Sequence, residues 1–230
     1  MPELDSTRLA EFRKLRNLMI EPTAVDILHS NGGKDLWLCD EYVLVNVTDS
    51  PAIEGLDQDD GLYRLQANKG LVAREGLPRW NLPIVFAEWR PLTLYPVVAT
   101  GISITDSKAK AMICFAVVPN PEVTSIQRDY GIYDDLGDLR IPLAINEDVY
   151  LAFRELWPSA YLMHSGRFAD DGKPRPFRIT TDDREERAYV QPAKIPADMR
   201  RVVNAAVNAA DIPEGGETGS EKERRRQQLG

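Results

Sequence analysis

The residues best suited to chemistry are few. The chain has two histidines, His29 and His164, and each is followed by a serine, Ser30 and Ser165. A Ser–His pair is the core of nucleophilic acyl transfer. The base must then reach the hydroxyl across space, and a third group must orient it. Sequence adjacency supplies neither condition, so both His-Ser pairs are read as strand ends and no catalytic residue is assigned. Carboxylates gather at Asp57, Asp59 and Asp60, at Asp134, Asp135 and Asp138, and at Asp182, Asp183, Glu185 and Glu186. A calcium loop needs oxygen ligands at fixed offsets, a glycine for its sharp turn and a closing glutamate. DQDDG comes nearest and lacks that glutamate, so the clusters read as solvated loops and no metal site is expected. Cys39 and Cys114 lie in apolar runs without metal or redox spacing and are expected to be buried thiols. SNGGK is a turn signal. No phosphate-binding loop, dinucleotide turn, nucleophile elbow or zinc-helix motif occurs. The chain is therefore not expected to be an enzyme, and no cofactor is implied.

The elements that carry these residues are those of an α+β protein with a mostly antiparallel sheet and helices near both chain ends. Asp5 or Ser6 caps a first helix to about Met19, with Leu9, Phe12, Leu15 and Met19 at helical spacing. Strands follow at 24–29 and 36–48 around SNGG, then an acidic loop at 50–60. LYRLQA, GLVARE and LPIVFAEW read as short strands. VVATGISIT and AKAMICFAVV form the clearest hairpin. A short helix is expected in PNPEVTSIQRDYG, and YDDLGDL marks a boundary. Asn146 caps the next helix, with Glu147 and Asp148 in its first turn, and Trp157–Pro158 ends it. Strands near 160–164, 176–180 and 187–191 precede a last helix at 197–210, whose apolar side is expected to hold Met199, Val202, Val203, Ala206 and Ala210. The expected division is an N-terminal module over 1–135, a C-terminal module over 136–211 and a disordered tail over 212–230.

Two stretches repeat. LAEFRKL (9–15) is followed by PTAVDILHSNGG (22–33), and LAFREL (151–156) by PSAYLMHSG (158–166). In each, a helix carries Leu-Ala, Phe-Arg and Leu in one order, and Pro-[Thr/Ser]-Ala opens an apolar run ending in His-Ser and a glycine turn. Duplication predicts two similar helix-plus-sheet modules, each burying its sheet face under its helix.

The charge layout adds to this. The net charge is −8, which argues against indiscriminate coating of nucleic acid. Yet the first helix carries Arg8, Arg13, Lys14 and Arg16 against one acid, Glu11, and the last carries Arg200 and Arg201 beside Asn204 and Asn208. Such faces suit phosphates without reading bases. Trp37, Trp80, Trp89 and Trp157 are spread along the chain. Arg79 and Trp80 in GLPRWNLP, with Trp89, are the candidates for an exposed rim that meets a protein partner. No run of roughly 18 apolar residues suggests a membrane span, and no leader is read at the N-terminus, so a cytoplasmic protein is expected.

Together these features resemble the DNA sliding clamps, in particular the short two-domain kind found in phages. WLCDEYVLVNV resembles the strand–Asp–strand segment of that family. The resemblance implies a ring-forming homo-oligomer that encloses double-stranded DNA, an accessory role in replication, and inner-helix positions for Arg13, Lys14, Arg16, Arg200 and Arg201. The alternative is a phage or bacterial protein–protein interaction module that binds or inhibits a host protein.

Overall fold

The computed structural model describes residues 6–53, 59–66, 70–92, 94–106, 108, 110–117, 141–166, 168–169, 172–181 and 185–210. By contacts the chain divides into two compact units, each built from separate stretches. The first gathers Met1–Leu92, Ile145–Tyr161 and Pro176–Gln191, and the second Thr93–Ala144, Leu162–Arg175 and Pro192–Gly230. The boundary expected at 135/136, the short helix expected in 119–131 and the tail expected from 212 lie outside the described residues.

In the first unit α1 (Ser6–Leu18) buries Phe12, Leu15 and Leu18, which follow one another at helical spacing. Strands β1 (Val25–Ser30), β2 (Asp35–Cys39), β3 (Val43–Asn46), β4 (Gly61–Gln66), β5 (Gly70–Ala73), β10 (Phe177–Thr180) and β11 (Glu186–Val190) lie in the order β5-β4-β1-β2-β3-β11-β10. The ladders between these neighbours are antiparallel. The turn from β1 to β2 is a single 3-10 turn in which Asn31, Gly32 and Gly33 all have positive φ, hence the Asn-Gly-Gly sequence. α3 (Glu147–Leu156) starts under Asn146, whose side chain accepts the amides of Asp148 and Val149. It packs against α1.

LPIVFAEW is a helix, α2 (Leu82–Trp89), not the expected strand. A short apolar run satisfies either period, and capping decides here. The Asn81 side chain accepts the Ile84 amide, and Pro83 stands in the first turn, where its missing N–H costs nothing. Leu82, Phe86 and Trp89 then fall on one face and join Leu28, Trp37, Cys39, Leu44 and Tyr189 in one core. Fully burying each large side chain of that set contributes about 2 kcal/mol.

In the second unit β6 (Tyr95–Thr105) pairs antiparallel with β7 (Ala111–Val117) and with β9 (Tyr161–His164). β8 (Ile141–Asn146) lies on the far side of β7, giving the order β9-β6-β7-β8. The expected hairpin is therefore β6–β7. Its register shifts between Ala99 and Ser103, where Gly101 at φ +77° lets the longer strand bulge. α4 (Arg200–Ala209) seats Val203 and Val207 on β6 and β7 beside Ile104, Met112, Cys114 and Ala144. Val202 was expected on that face, but its 55% exposure places it outside; the buried stripe runs through residues four apart, 199, 203 and 207.

Candidate functional site

The basic residues of α1 belong to the first unit and those of α4 to the second. Arg13 is exposed on α1. Lys14 donates to Glu11 Oε1 at 2.8 Å. That bond holds its pKa above the ordinary lysine value, and the carboxylate of Glu155 on α3 adds to the effect. Arg16 is half-buried, and its Nε is shielded from solvent without a hydrogen-bond partner. α3 itself carries Glu147, Asp148 and Glu155 against Arg154, so the basic character of α1 is not continued on its neighbour. Arg200 and Arg201 are exposed at the start of α4.

Of the rim expected around Arg79, Trp80 and Trp89, Arg79 is exposed and Trp80 half-buried, but Trp89 is withdrawn from it. Trp89 is buried in the first unit's core and packs at a tilt against Tyr189, 5.1 Å between ring centroids. Trp80 packs edge-on against Trp89 at 5.9 Å and donates its indole N–H to the Asp40 carbonyl at 2.7 Å. Arg79 reaches back to β1: its amide donates to Asp26 Oδ2 at 2.8 Å and its Nη2 to the Ala24 carbonyl at 2.6 Å. The physical reason is that an indole with an acceptor within reach hydrogen-bonds inward, which here lays the Trp80 ring against Trp89 and helps to cover it.

The two histidines stand at strand ends, as expected, in opposite environments. His29 closes β1, and its backbone amide and Nδ1 meet the same oxygen, Asp60 Oδ1, at 2.8 Å and 2.6 Å. A carboxylate acceptor places the ring proton on Nδ1. Ser30, the next residue of the strand, points to the other face, where its hydroxyl accepts the Trp37 indole N–H at 3.1 Å. His29, Asp60 and Ser30 therefore do not make a nucleophile–base–orienter set. His164 is buried: its Nδ1 accepts the Gly166 amide at 2.9 Å, which leaves Nε2 as the donor to the Arg175 carbonyl at 2.7 Å. Burial drives its pKa down to about 4, opposed by the bond to the Arg175 carbonyl.

The carboxylates expected as loops are used in part as structure. Asp59 offers its carbonyl to the Tyr63 hydroxyl at 2.9 Å. Glu185 pairs with Arg187. Glu186 accepts Arg90 Nε and Nη2 at 2.9 and 2.7 Å and the Tyr189 hydroxyl. Asp57, Asp134, Asp135, Asp138, Asp182 and Asp183 lie outside the described residues. Among the described residues, no group of three His, Cys, Asp or Glu side chains is placed to hold a metal ion. Cys39 and Cys114 are buried thiols, as expected. Burial, then the charges of Asp26 and Asp40, pushes Cys39 well above the usual thiol range, and burial pushes Cys114 up to about 11.

Three polar sets in the first unit have partners that sequence reasoning does not reach. Asp26 is fully buried beside Arg79. Asp40, also fully buried, accepts three backbone amides, from Glu21 at 2.8 Å and from Tyr42 and Val43 at 2.7 Å each. Arg90 lies 3.7 Å over the Phe86 ring while holding Glu186, and Arg178 donates to the carbonyls of Trp89 and Arg90 at the end of α2. The available signal is a lone aspartate inside an apolar run, Asp26 in AVDIL and Asp40 after WLC. All three sets tie separate segments together, although Asp26 Oδ1 and Arg178 Nε are buried without a hydrogen bond and have only the ion-pair contacts at 3.6 Å.

Comparison with known proteins finds no match: no family model fits the chain, and neither a curated protein nor a solved structure is significantly similar to it.

Proposed function

We propose that the chain is a non-enzymatic, clamp-like accessory factor of phage DNA replication, making sequence-independent contacts to double-stranded DNA as a homo-oligomer. One observation carries the reading. Residues 6–46 run helix, strand, strand, strand as α1-β1-β2-β3, and residues 147–190 run in the same order as α3-β9-β10-β11. Within the first unit the last strands of the two runs pair antiparallel, Val45 with Ala188 and Val43 with Val190, and the two helices pack on each other. A repeated helix-over-sheet module is the building principle of rings that encircle a duplex without reading it.

The charge pattern narrows the contact. Arg13 on α1 and Arg200 and Arg201 on α4 are exposed cations, whereas Lys14 is spent on Glu11 and the face of α3 is acidic. Binding of this kind is weak, uniform across sequences and steeply salt-dependent. The test combines light scattering at micromolar protein with fluorescence anisotropy on two unrelated duplexes at low salt. Self-association with equal, salt-sensitive binding to both duplexes is the expected result; a monomer with no DNA association overturns the proposal.

A second reading, a module that binds a host protein, is favoured by one feature. Leu77 and Ile84 are 86% and 64% exposed in the segment that carries α2. Capture of a host protein that Leu77→Asp and Ile84→Asp abolish, with DNA binding absent in both, would select it.

A further inference from the structure

β5 and β8 each have a single strand neighbour. The two edges are treated differently. On β8 the Ala144 carbonyl points away from β7 and accepts the Ala193 amide at 2.8 Å. Pro142, two residues earlier and so directed to the same side, has no N–H to offer. The β8 edge is thus closed by its own chain and by its own composition.

The direction of the backbone groups on β5 follows from its register. Arg64 faces Val72 and Gln66 faces Gly70, and the Arg74 amide donates to the Leu62 carbonyl at 2.8 Å. In an antiparallel ladder hydrogen-bonded pairs alternate with open ones. Leu62 with Arg74, Arg64 with Val72 and Gln66 with Gly70 are then the bonded pairs, while Tyr63 with Ala73 and Leu65 with Leu71 are open. The Leu65 amide agrees, because it donates away from β5 to the Pro22 carbonyl at 2.7 Å. Leu71 and Ala73 therefore turn both backbone groups outward, and among the described residues no backbone group meets them. Gly70–Ala73 contains neither a charge nor a proline, the usual means of blunting an edge.

We infer that β5 is the joint between copies of this chain and that its occupant is the β5 of a second copy, run antiparallel about a two-fold axis through Val72. Leu71 of each copy then exchanges both backbone bonds with Ala73 of the other. The closure of β8 argues for this occupant: a head-to-tail contact needs two unlike open surfaces, and the other single-neighbour strand is already covered. The inference rests on the homo-oligomer part of the proposed function and specifies where two copies meet; one two-fold joint makes a dimer, and closing a ring around a duplex takes a second contact.

Ala73→Pro tests it, because that substitution deletes an outward N–H and leaves every bonded pair with β4 in place. Wild type and variant are compared by light scattering over a concentration series, with circular dichroism to check folding. The expected result is a wild-type dimer and at least a tenfold weaker association in the variant. A wild-type oligomer that Ala73→Pro leaves unchanged overturns the joint and spares the proposed function; a wild-type monomer overturns both. Should the variant not fold, amide exchange on wild type decides: Leu71 and Ala73 become protected as concentration rises if the joint is right. Exchange that does not depend on concentration refutes it.

Discussion

The buried carboxylate of Asp26 accepts the Arg79 amide at 2.8 Å and lies 3.6 Å from the Arg79 guanidinium Nε, joining β1 to the loop that precedes α2 across 53 residues of chain. Asp26 is fully buried, whereas the Arg79 side chain is 38% exposed. Breaking such a pair from the cation side strands a buried charge and costs about 3 kcal/mol, the low end of the usual range because solvent reaches the guanidinium. Arg79→Ala should lower the urea midpoint accordingly. Asp26→Asn in the Arg79→Ala background should recover part of the loss, since the uncompensated charge is gone. Equal stability of Arg79→Ala and wild type would remove the pair from the account of stability.

Asp40 gives the second prediction. One oxygen receives the amides of Tyr42 and Val43 and shapes the turn from β2 to β3, while the other receives the Glu21 amide. Asn in its place keeps one acceptor but turns an NH₂ group toward one of these donors. Asp40→Asn should therefore cost about 2 kcal/mol and Asp40→Ala about 4 kcal/mol, from roughly 1–3 kcal/mol per stranded donor. Chemical denaturation of the two variants checks the order; a smaller loss for Ala than for Asn would show that the three bonds do not hold the turn.

What was legible in the sequence is what depends on neighbours along the chain. The Asn146 cap, the α1 stripe at Phe12 and Leu15, and the β6–β7 hairpin each follow from spacing alone. The strand ends at His29 and His164 were legible for the same reason. LPIVFAEW was not, because eight apolar residues fit both periods and the cap at Asn81 decided it. Trp89 was misplaced because the ring that covers it, Tyr189, arrives from 100 positions later. Long-range polar pairs such as Arg79 with Asp26 leave no periodic trace. The stretches that compose each compact unit are likewise separated in the chain, and composition carries no sign of that interleaving.

For DNA the prediction is differential. Arg13 and Arg201 are exposed, while Lys14 is held by Glu11 at 2.8 Å. If each exposed arginine meets one phosphate, Arg13→Ala or Arg201→Ala should reduce the slope of log K against log salt by about 1 and weaken binding to all duplexes alike. Lys14→Ala should change the slope far less, because its charge is already neutralised. Anisotropy titrations at several salt concentrations measure this, and an effect of Lys14→Ala as large as that of Arg13→Ala would contradict the assignment of the contact.

His164 makes stability depend on pH with a definite sign. Its Nδ1 is occupied by the Gly166 amide and its surroundings exclude water, so the folded protein resists protonation down to about pH 4, against 6.5 for the free side chain. Between those values the unfolded chain binds more protons than the folded one, so stability falls as pH is lowered from 6.5 and levels off below 4. A gap of this size corresponds to about 3 kcal/mol. Urea unfolding from pH 7.5 to 4 should show that loss in wild type. His164→Gln, which has no proton to take up in this range, should start less stable at pH 7.5 and fall less steeply. Parallel pH profiles for the two proteins would place the acid sensitivity elsewhere, because a group absent from the variant cannot supply a slope that the variant retains.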